Sequence, residues 1–581
     1  MTIHNREIAE QFSRLADLLE IEGADAFRVR AYRQAAQTIG GLSESLAERA
    51  AEGEDLSALP HIGKRIAEKI RAISETGYLP QLEAVEERLP AELSELLKLS
   101  GLGPKRVKAL HQDLHVDNLA DLKRAVAEHR VREVPGFGAK REQAIAEKLE
   151  QWQGAEQRLT LIAAEEIAHP LVDYLQRIDG VDQVTIAGSF RRRKETVGDL
   201  DILVTAAAGS PVMERFTAYE EVREVVSRGE TRATVLLRAG LQVDLRLVPA
   251  LSYGAALHYF TGSKAHNIAV RRLGVKRGLK INEYGVFRAE GQDGERVGGR
   301  TETEVYAAVD LPYIEPVLRE DTGEIEAAQQ DRLPRLIEVG DIRGDLHAHT
   351  DASDGHDSLE QMAEAAAARG YDYLAITDHS RHLTVANGLD PARLAAQMDA
   401  IDRLNDRLND RGDGRIRVLK SVELDILADG SLDLPDEVLA RLDLCVCSVH
   451  YKFDLSREKQ TERILRALDN PHCHILAHPR GRLIGERPGY ALDLERVMRA
   501  AAERGCALEV NAQPKRLDLD DADCRLAKEL GVRIAISTDA HSRGNLDYMR
   551  LGVDQARRGW LTADDVINTR GLDDLLALLR R

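Results

Sequence analysis

The 581-residue sequence contains no apolar run near the ~18 residues that a membrane span requires. Its first residues, MTIHNREIAEQF, lack the basic start and apolar stretch of a secretory signal. Cysteine is scarce, with five residues at 445, 447, 473, 506 and 524 and no Cys-x-x-Cys pair. That usage fits small core side chains kept reduced. These absences predict a cytoplasmic protein with no membrane partner. An excess of cations is also missing: 80 Lys and Arg face 98 Asp and Glu, a net charge of −18. Over the whole chain that balance opposes nucleic-acid binding, but contact is local, and Phe260–Glu290 holds seven Lys or Arg against two Glu. With 31% charged and 43% hydrophobic residues, the composition is that of a soluble globular chain, and its length allows several domains.

The stretch Ala187–Val204, AGSFRRRKETVGDLDILV, carries the first chemistry. An apolar run, VTIAG, delivers Gly188-Ser189, and Gly198-Asp199-Leu200-Asp201 opens a second apolar run. Alternate strand residues share a face, so Asp199 and Asp201 are expected to point together, with Asp244 of QVDLR beside them. Carboxylates crowded this way repel unless cations lie between them, and hard oxygen ligands suit Mg²⁺ or Mn²⁺. Arg191, Arg192, Arg193 and Lys194 are cations of the kind that hold a triphosphate. Together these features predict two-metal nucleotidyl transfer.

Upstream, amphipathic helical patterns surround three related turns, LPHIG at 59–63, LSGLGP at 99–104 and VPGFG at 134–138. Each is followed by a helical stretch, and the repeat of about forty residues matches helix-hairpin-helix modules, which grip DNA phosphates through backbone N–H groups. Gly63, Gly101, Gly103, Gly136 and Gly138 are the candidate DNA contacts, with His61 where such turns usually have glycine.

From residue 341, short apolar strands alternate with helical stretches: IRGDLH, YLAIT, RVLKSVEL, LCVCSVH, HILAH, ALEVN and RIAIST. Seven such units predict a closed parallel barrel one short of eight. His347, His349, Asp354, His379, Glu423, His450, His478, Asp539 and His541 fall at or just after strand ends, which converge on one mouth in such a barrel. Imidazole with carboxylate suits Zn²⁺, Mn²⁺ or Fe²⁺, and so many ligands call for several ions. Asp378 and Asn511 are expected beside them. Arg480, Arg482, Arg487, Lys515 and Arg516 read equally as phosphate contacts or surface charge.

GSFRR, GDLD, VDLR and the run Tyr259-Phe260-Thr261-Gly262-Ser263 resemble the nucleotidyltransferase core of family X DNA polymerases, the polymerase beta relatives. The C-terminal histidines and acids resemble the PHP (polymerase and histidinol phosphatase) domain, and the two together resemble the bacterial members of family X. The implied architecture is multidomain, α+β and α/β. A helical lyase-like domain spans 1–90, a helix-hairpin-helix domain 91–155, the palm 156–250, the thumb 251–318, a polar linker 319–340, and a PHP domain with a distorted seven-stranded βα barrel 341–581. In the implied palm, Asp199, Asp201 and Asp244 carry two Mg²⁺ or Mn²⁺ ions. Gly188, Ser189, Arg192 and Gly198 hold phosphates, Tyr259 and Phe260 lie against the sugar, Gly262 contacts the nucleotide, Asn267 meets the base, and Arg271 meets the template. Lys69 falls on the lyase lysine of the family; a phosphate contact or a solvated helix residue are the other readings, and Phe27 departs from a polar family position. The nine barrel ligands imply up to three ions. The implied function is gap filling with dNTPs on gapped or nicked double-stranded DNA during base excision repair, by a monomer. The PHP domain would add 3′→5′ exonuclease, with 3′-phosphatase or AP-endonuclease activity. Two other hypotheses are a small-molecule phosphatase tethered to a DNA-end-binding module and a non-catalytic DNA-end scaffold.

Overall fold

A computed structural model describes residues 5–40, 46–51, 53–59, 61–76, 78–86, 88–90, 93–97, 102–155, 158–288, 295–410 and 416–580. The chain begins with helices α1 (Asn5–Glu22) and α2 (Ala26–Gly40). On α1, Ile8, Phe12, Leu15 and Leu19 recur at three- and four-residue spacing and are buried, the signature of an amphipathic helix facing a core. Helices α3 (Lys64–Thr76), α4 (Pro104–Leu114) and α5 (Gly138–Ala155) each start at one of the three repeated turns. A single apolar cluster from Ile8 to Leu149 runs through both expected N-terminal domains. His61 adopts φ +62°, the left-handed conformation that explains why glycine is usual there. Gly101 lies outside the described residues.

Helix α6 (Leu161–Gln176) then packs on a five-stranded sheet. Its strands are β1 (Val181–Ile186), β2 (Asp199–Ala206), β3 (Val222–Arg228), β4 (Arg232–Leu237) and β5 (Gln242–Leu247), in the order β1-β2-β5-β4-β3. Only the β2–β5 pair is parallel, and its register sets Asp201 directly opposite Asp244. Helices α7 (Tyr253–Thr261) and α8 (Lys264–Lys276) and a three-stranded sheet follow.

The polar stretch expected to be a linker is instead packed into the fold at several points. Arg319 is fully buried and ion-paired to Glu302. Glu324 is fully buried too, accepting hydrogen bonds from the Asp321 and Thr322 amides at 2.8 and 2.7 Å. Ile325, Ala328 and Leu336 join the apolar cluster of α7 and α8, and Ile337 joins that of the C-terminal domain. Composition misleads here because two of its charges, Arg319 and Glu324, are buried with partners.

The C-terminal strands are β6 (Gly344–Ala348), β7 (Tyr373–Ile376), β8 (Arg417–Lys420), β9 (Glu423–Asp425), β10 (Val446–Ser448), β11 (Ile475–Leu476), β12 (Ala507–Asn511) and β13 (Ile534–Ser537). All pair in parallel, as two arcs, β6-β7-β8 and β9 to β13. The single expected strand RVLKSVEL breaks between Lys420 and Glu423 into β8 and β9, which distorts the ring. Parallel bridges His379–Glu423 and Ala348–Ala540 join the arcs at both seams. Helix α9 (Met549–Arg558) presses the barrel against the sheet of β1–β5, where Leu517 and Leu551 complete the apolar cluster of that sheet. Arg193 spans the junction, 2.6 Å from both Glu165 and Asp554.

Candidate active sites

Strand alternation and parallel register build the first site. Asp199 and Asp201 share a face of β2, and Asp244 stands across from Asp201 on β5. Asp244 accepts hydrogen bonds from Thr234 Oγ1 at 2.5 Å, Gln242 Nε2 at 2.9 Å and Arg232 at 3.1 Å. Burial raises its pKa, but these donors outweigh burial and hold it below the ordinary aspartate value. Asp201 lacks such support: burial first, then the charges of Asp199 and Asp244, push it up to about 6. Asp199 is raised as well, by desolvation and by Asp244. Two raised acids around one lowered acid form a site that a divalent cation would relieve, and their all-oxygen donor set fits Mg²⁺ or Mn²⁺.

Gly188 closes the site from behind. Its φ is +63°, and a Cβ there would lie 2.8 Å from Asp201 Oδ2. The amide of Ala187 donates to the Asp201 carbonyl at 2.7 Å, fixing turn against strand, and Ser189 is half-buried beside it. A Cβ on Gly198 would meet the Arg158 guanidinium at 2.8 Å.

The cationic run does not face an open phosphate pocket. Arg191 forms a two-point ion pair with Glu302 at 2.9 and 2.7 Å, and Arg192 donates to Glu320 at 2.9 Å and to the Thr261 carbonyl at 2.8 Å. Arg193 is engaged at the domain junction, and Lys194 lies 3.5 Å from Glu320. Asn267 is likewise occupied, donating to the carbonyls of Tyr259 at 2.7 Å and Gly262 at 3.1 Å, so its amide shapes the YFTG turn rather than reaching outward. Tyr259 and Phe260 are half-buried with ring centroids 5.0 Å apart, and the Arg246 guanidinium lies 4.2 Å from the Phe260 centroid. Arg271 is exposed on α8, and Lys69 is half-buried on α3.

The second site gathers all nine expected residues at the barrel mouth. Glu423 lies at its centre, 2.8 Å from His379 Nδ1, 3.1 Å from His478 Nε2, 3.2 Å from His450 Nε2 and 3.4 Å from His347 Nε2. Asp539 is 3.2 Å from His349 Nε2 and 3.6 Å from His347 Nε2. Asp354 lies 3.4 Å from His379 Nε2 and 3.5 Å from His541 Nε2. Three overlapping groups are close enough to share ions: His349, Asp354, His379 and His541; His347, His349 and Asp539; and His379, Glu423 and His450. His347 Nε2, both ring nitrogens of His349 and His379 Nδ1 are buried without a hydrogen-bond partner. Orphaned ring nitrogens beside carboxylates fit divalent metal ions. Burial opposes charge on His379 and His450, but Glu423 overrides it and pushes them up to about 10 and 9. His349, buried and facing His379, falls to about 4.

Sequence reasoning missed the residues that orient these rings. Glu509 Oε1 meets His347 Nδ1 at 2.7 Å, and its other oxygen accepts from the His478 amide at 2.8 Å and Asn511 Nδ2 at 3.1 Å. Asp425 meets His450 Nδ1 at 3.1 Å, and Asp345 accepts from the His347 amide at 3.2 Å. Each sits two residues from a site residue on the same strand, on the same face, and that alternation was the available signal. Asp378 secures the loop after β6, accepting from the Thr350 amide at 2.8 Å. Of the arginines and lysine in the loops, Arg482 pairs with Glu195 at 2.6 Å, Lys515 with Glu486 at 2.6 Å, and Arg480 faces Asp523 at 3.5 Å. Arg487 donates to the Gly481 carbonyl at 2.8 Å, and Arg516 faces the cluster, 3.8 Å from Asp539.

Family comparisons follow the same order along the chain. A helix-hairpin-helix domain matches residues 3–79, and a SAM-like helix-hairpin-helix tandem matches 93–151. The polymerase beta palm matches 163–253, the polymerase beta thumb 256–320, and the PHP domain 345–513. The DNA polymerase/3′-5′ exonuclease PolX of Bacillus subtilis (strain 168) is 39% identical over 581 residues, covering all of both chains. The chain belongs to the family X DNA polymerases that carry a C-terminal PHP domain. DNA polymerase lambda of Rattus norvegicus is 24% identical over 348 residues, 55% of this chain and 57% of that protein. A Thermoanaerobacter sp. (strain X514) protein described as a "Probable phosphatase" is 30% identical over 237 residues, 39% of this chain and 89% of that protein. The PHP match stops at 513, yet Asp539 and His541 beyond it complete the barrel mouth. No described helix is long and apolar enough to cross a membrane.

Proposed function

We propose that the chain is a repair enzyme with two active sites: a palm that fills short gaps in double-stranded DNA from dNTPs, and a PHP barrel that trims 3′ ends. The observation that carries this reading is the presence, in one chain, of the three palm acids side by side and of nine clustered barrel residues, among which His347, His349 and His379 have ring nitrogens without a hydrogen-bond partner. The full-length Bacillus relative is named for the same two activities. Gap filling in base excision repair, the cytoplasmic setting and a monomeric state belong to the proposal.

In the palm, Asp199, Asp201 and Asp244 would hold two Mg²⁺ or Mn²⁺ ions, which activate the primer 3′-hydroxyl and neutralise the triphosphate when bound. Gly188 and Ser189 present backbone N–H groups to phosphate. Arg192 reaches a phosphate once it leaves Glu320, and Asn267 meets a base once its amide leaves the Tyr259 carbonyl. Tyr259 and Phe260 flank the sugar. Gly63, Gly103, Gly136 and Gly138 offer turn amides to DNA phosphates, and Arg271 the template strand. In the barrel, the nine ligands would hold up to three Zn²⁺, Mn²⁺ or Fe²⁺ ions, which supply a strongly nucleophilic water and bind phosphate oxygens. Arg516 is placed to hold the phosphate. Each hydrolysis consumes one water, breaks the bond between phosphorus and O3′, and releases a 5′-mononucleotide.

Lys69 remains the candidate for 5′-deoxyribose phosphate lyase chemistry. Borohydride trapping on a 5′-incised abasic site yields a covalent adduct that Lys69→Ala abolishes; an undiminished adduct rejects the assignment. The phosphatase relatives favour a second reading of the barrel as a small-molecule phosphatase. Measuring release of mononucleotide from labelled DNA beside release of phosphate from sugar phosphates separates the two. For the palm, extension of a one-nucleotide gap should exceed extension of a primer without a downstream strand, and equal rates would reject gap filling.

A further inference from the structure

The barrel mouth carries aromatic side chains that metal chemistry leaves unused. Tyr451 directly follows His450, and His382 lies three residues past His379. The rings of His379 and His450 are 5.2 Å apart, and those of His382 and Tyr451 are 4.7 Å apart at a 43° tilt. A second pair of rings therefore stands on the two loops that bring His379 and His450 to the cluster.

Both loops are braced from below. The Arg463 guanidinium lies 4.7 Å from the Tyr451 ring centroid, and Arg463 is only 2% exposed. It donates to the carbonyls of Tyr451 and Leu427, each at 2.9 Å. The His382 amide donates to buried Asp433 at 3.2 Å, and Asp433 also accepts from Ser380 at 2.8 Å. The Leu389 amide donates to the His379 carbonyl at 2.7 Å, closing the 380–389 loop at its base. A Cβ on Gly388 would come within 2.0 Å of the Ser380 carbonyl oxygen, so this closure needs glycine.

What the braced loops present is open to solvent. His382 is exposed, Tyr451 half-buried, and Val385 on the same loop 91% exposed. Arg381 and Lys452, beside the two rings in sequence, are exposed cations. Folding does not require an exposed imidazole and an exposed valine on a loop braced in this way. Aromatic faces flanked by cations suit a single nucleic-acid strand, because every base offers a π face and every linkage an anion. A sugar phosphate has no flat ring to stack.

We propose that Tyr451 and His382 seat the 3′-terminal nucleobase of a single DNA strand whose last phosphodiester lies on the metal-type cluster. The inference rests on reading the barrel as a 3′→5′ exonuclease and adds a positioning device that selects nucleotide ends over other phosphoesters. Loss of a base–aromatic stack lowers affinity by roughly five- to a hundredfold.

The test compares the full-length protein with Mn²⁺ on two single strands, one ending in a normal 3′ nucleotide and one in a 3′ abasic residue. The reading is the ratio of kcat/KM between them. Wild type should favour the base-bearing end about tenfold or more, chiefly through KM. Tyr451→Ala and His382→Ala should bring the ratio towards one, whereas Tyr451→Phe, which keeps the ring, should retain it. An unchanged ratio in Tyr451→Ala and His382→Ala, or a ratio lost in Tyr451→Phe, overturns the seat while leaving the exonuclease reading intact. Wild type that hydrolyses neither strand overturns both. If Tyr451→Ala also loses bound metal, His382→Ala and Tyr451→Phe decide the outcome.

Discussion

Replacing Glu509 by glutamine tests whether the barrel histidines are held as metal ligands. The carboxylate is fully buried and accepts on both oxygens, from His347 on one and from the His478 amide and Asn511 on the other. It thereby keeps the His347 proton on Nδ1 and leaves Nε2, which has no hydrogen-bond partner, facing Asp539 and Glu423. Glutamine has nearly the same shape but one donor end. Oriented with its oxygen towards His347, its NH₂ confronts the His478 N–H, leaving a buried donor unsatisfied at about 1–3 kcal/mol. Flipped, its NH₂ faces Nδ1, and the proton moves to Nε2, the nitrogen aimed at the cluster. Either orientation weakens the site, and removal of such an orienting carboxylate typically costs about 10–100-fold in metal affinity. Competition with a chromogenic chelator for Mn²⁺ measures that loss, while primer extension by the palm should stay at the wild-type rate. Glu509→Gln with wild-type Mn²⁺ affinity at the barrel would refute the reasoning.

The two sites should also differ in how pH governs metal binding. In the barrel, His379 and His450 have raised pKa values, about 10 and 9, so the metal-free fold keeps their full contribution below pH 6.5 and loses it as pH climbs through 9 to 10. Metal binding at pH 7.5 must expel their protons, and titration in weak buffer should detect proton release there. In the palm, Asp201 is an acid raised to about 6, so its protonated form aids the metal-free fold at low pH and that aid fades between pH 3.8 and 6. Palm affinity for Mg²⁺ should therefore rise up to about pH 6 and then level off, and a palm affinity still climbing above pH 8 would contradict the assignment. Gly188→Ala should cut extension by at least a hundredfold and spare the exonuclease. The added Cβ would sit 2.8 Å from Asp201 Oδ2 at φ +63°, a conformation that itself costs about 1–2 kcal/mol. Normal extension by that variant would show that Asp201 is not held by the turn.

Strand alternation made most of the chemistry legible. GDLD and VDLR announced a shared face, and parallel pairing of β2 with β5 then set Asp201 opposite Asp244. Most of the nine barrel residues were readable because they sit at or near the ends of short apolar runs. Their supports, Asp345, Asp425 and Glu509, followed the same two-residue rule but looked like ordinary strand polars without the fold around them. The cationic run Arg191–Lys194 was less readable. Spacing beside Gly188-Ser189 suggested a phosphate cradle, whereas Glu302, Glu320, Glu165 and Asp554, distant in sequence, engage these side chains. The 319–340 segment failed for the same reason: polarity predicts exposure only when charges lack buried partners, and Arg319 and Glu324 have them.

The central claim is that one chain carries two independent active sites, and a labelled one-nucleotide-gap substrate tests it most directly. Wild type, Asp199→Ala with Asp201→Ala, and His347→Ala with His349→Ala are compared in Mn²⁺ with and without dNTPs. The palm variant should lose extension yet still shorten the primer, and the barrel variant should extend it without shortening. A palm variant that still extends, or a barrel variant that degrades DNA as wild type does, would contradict the account.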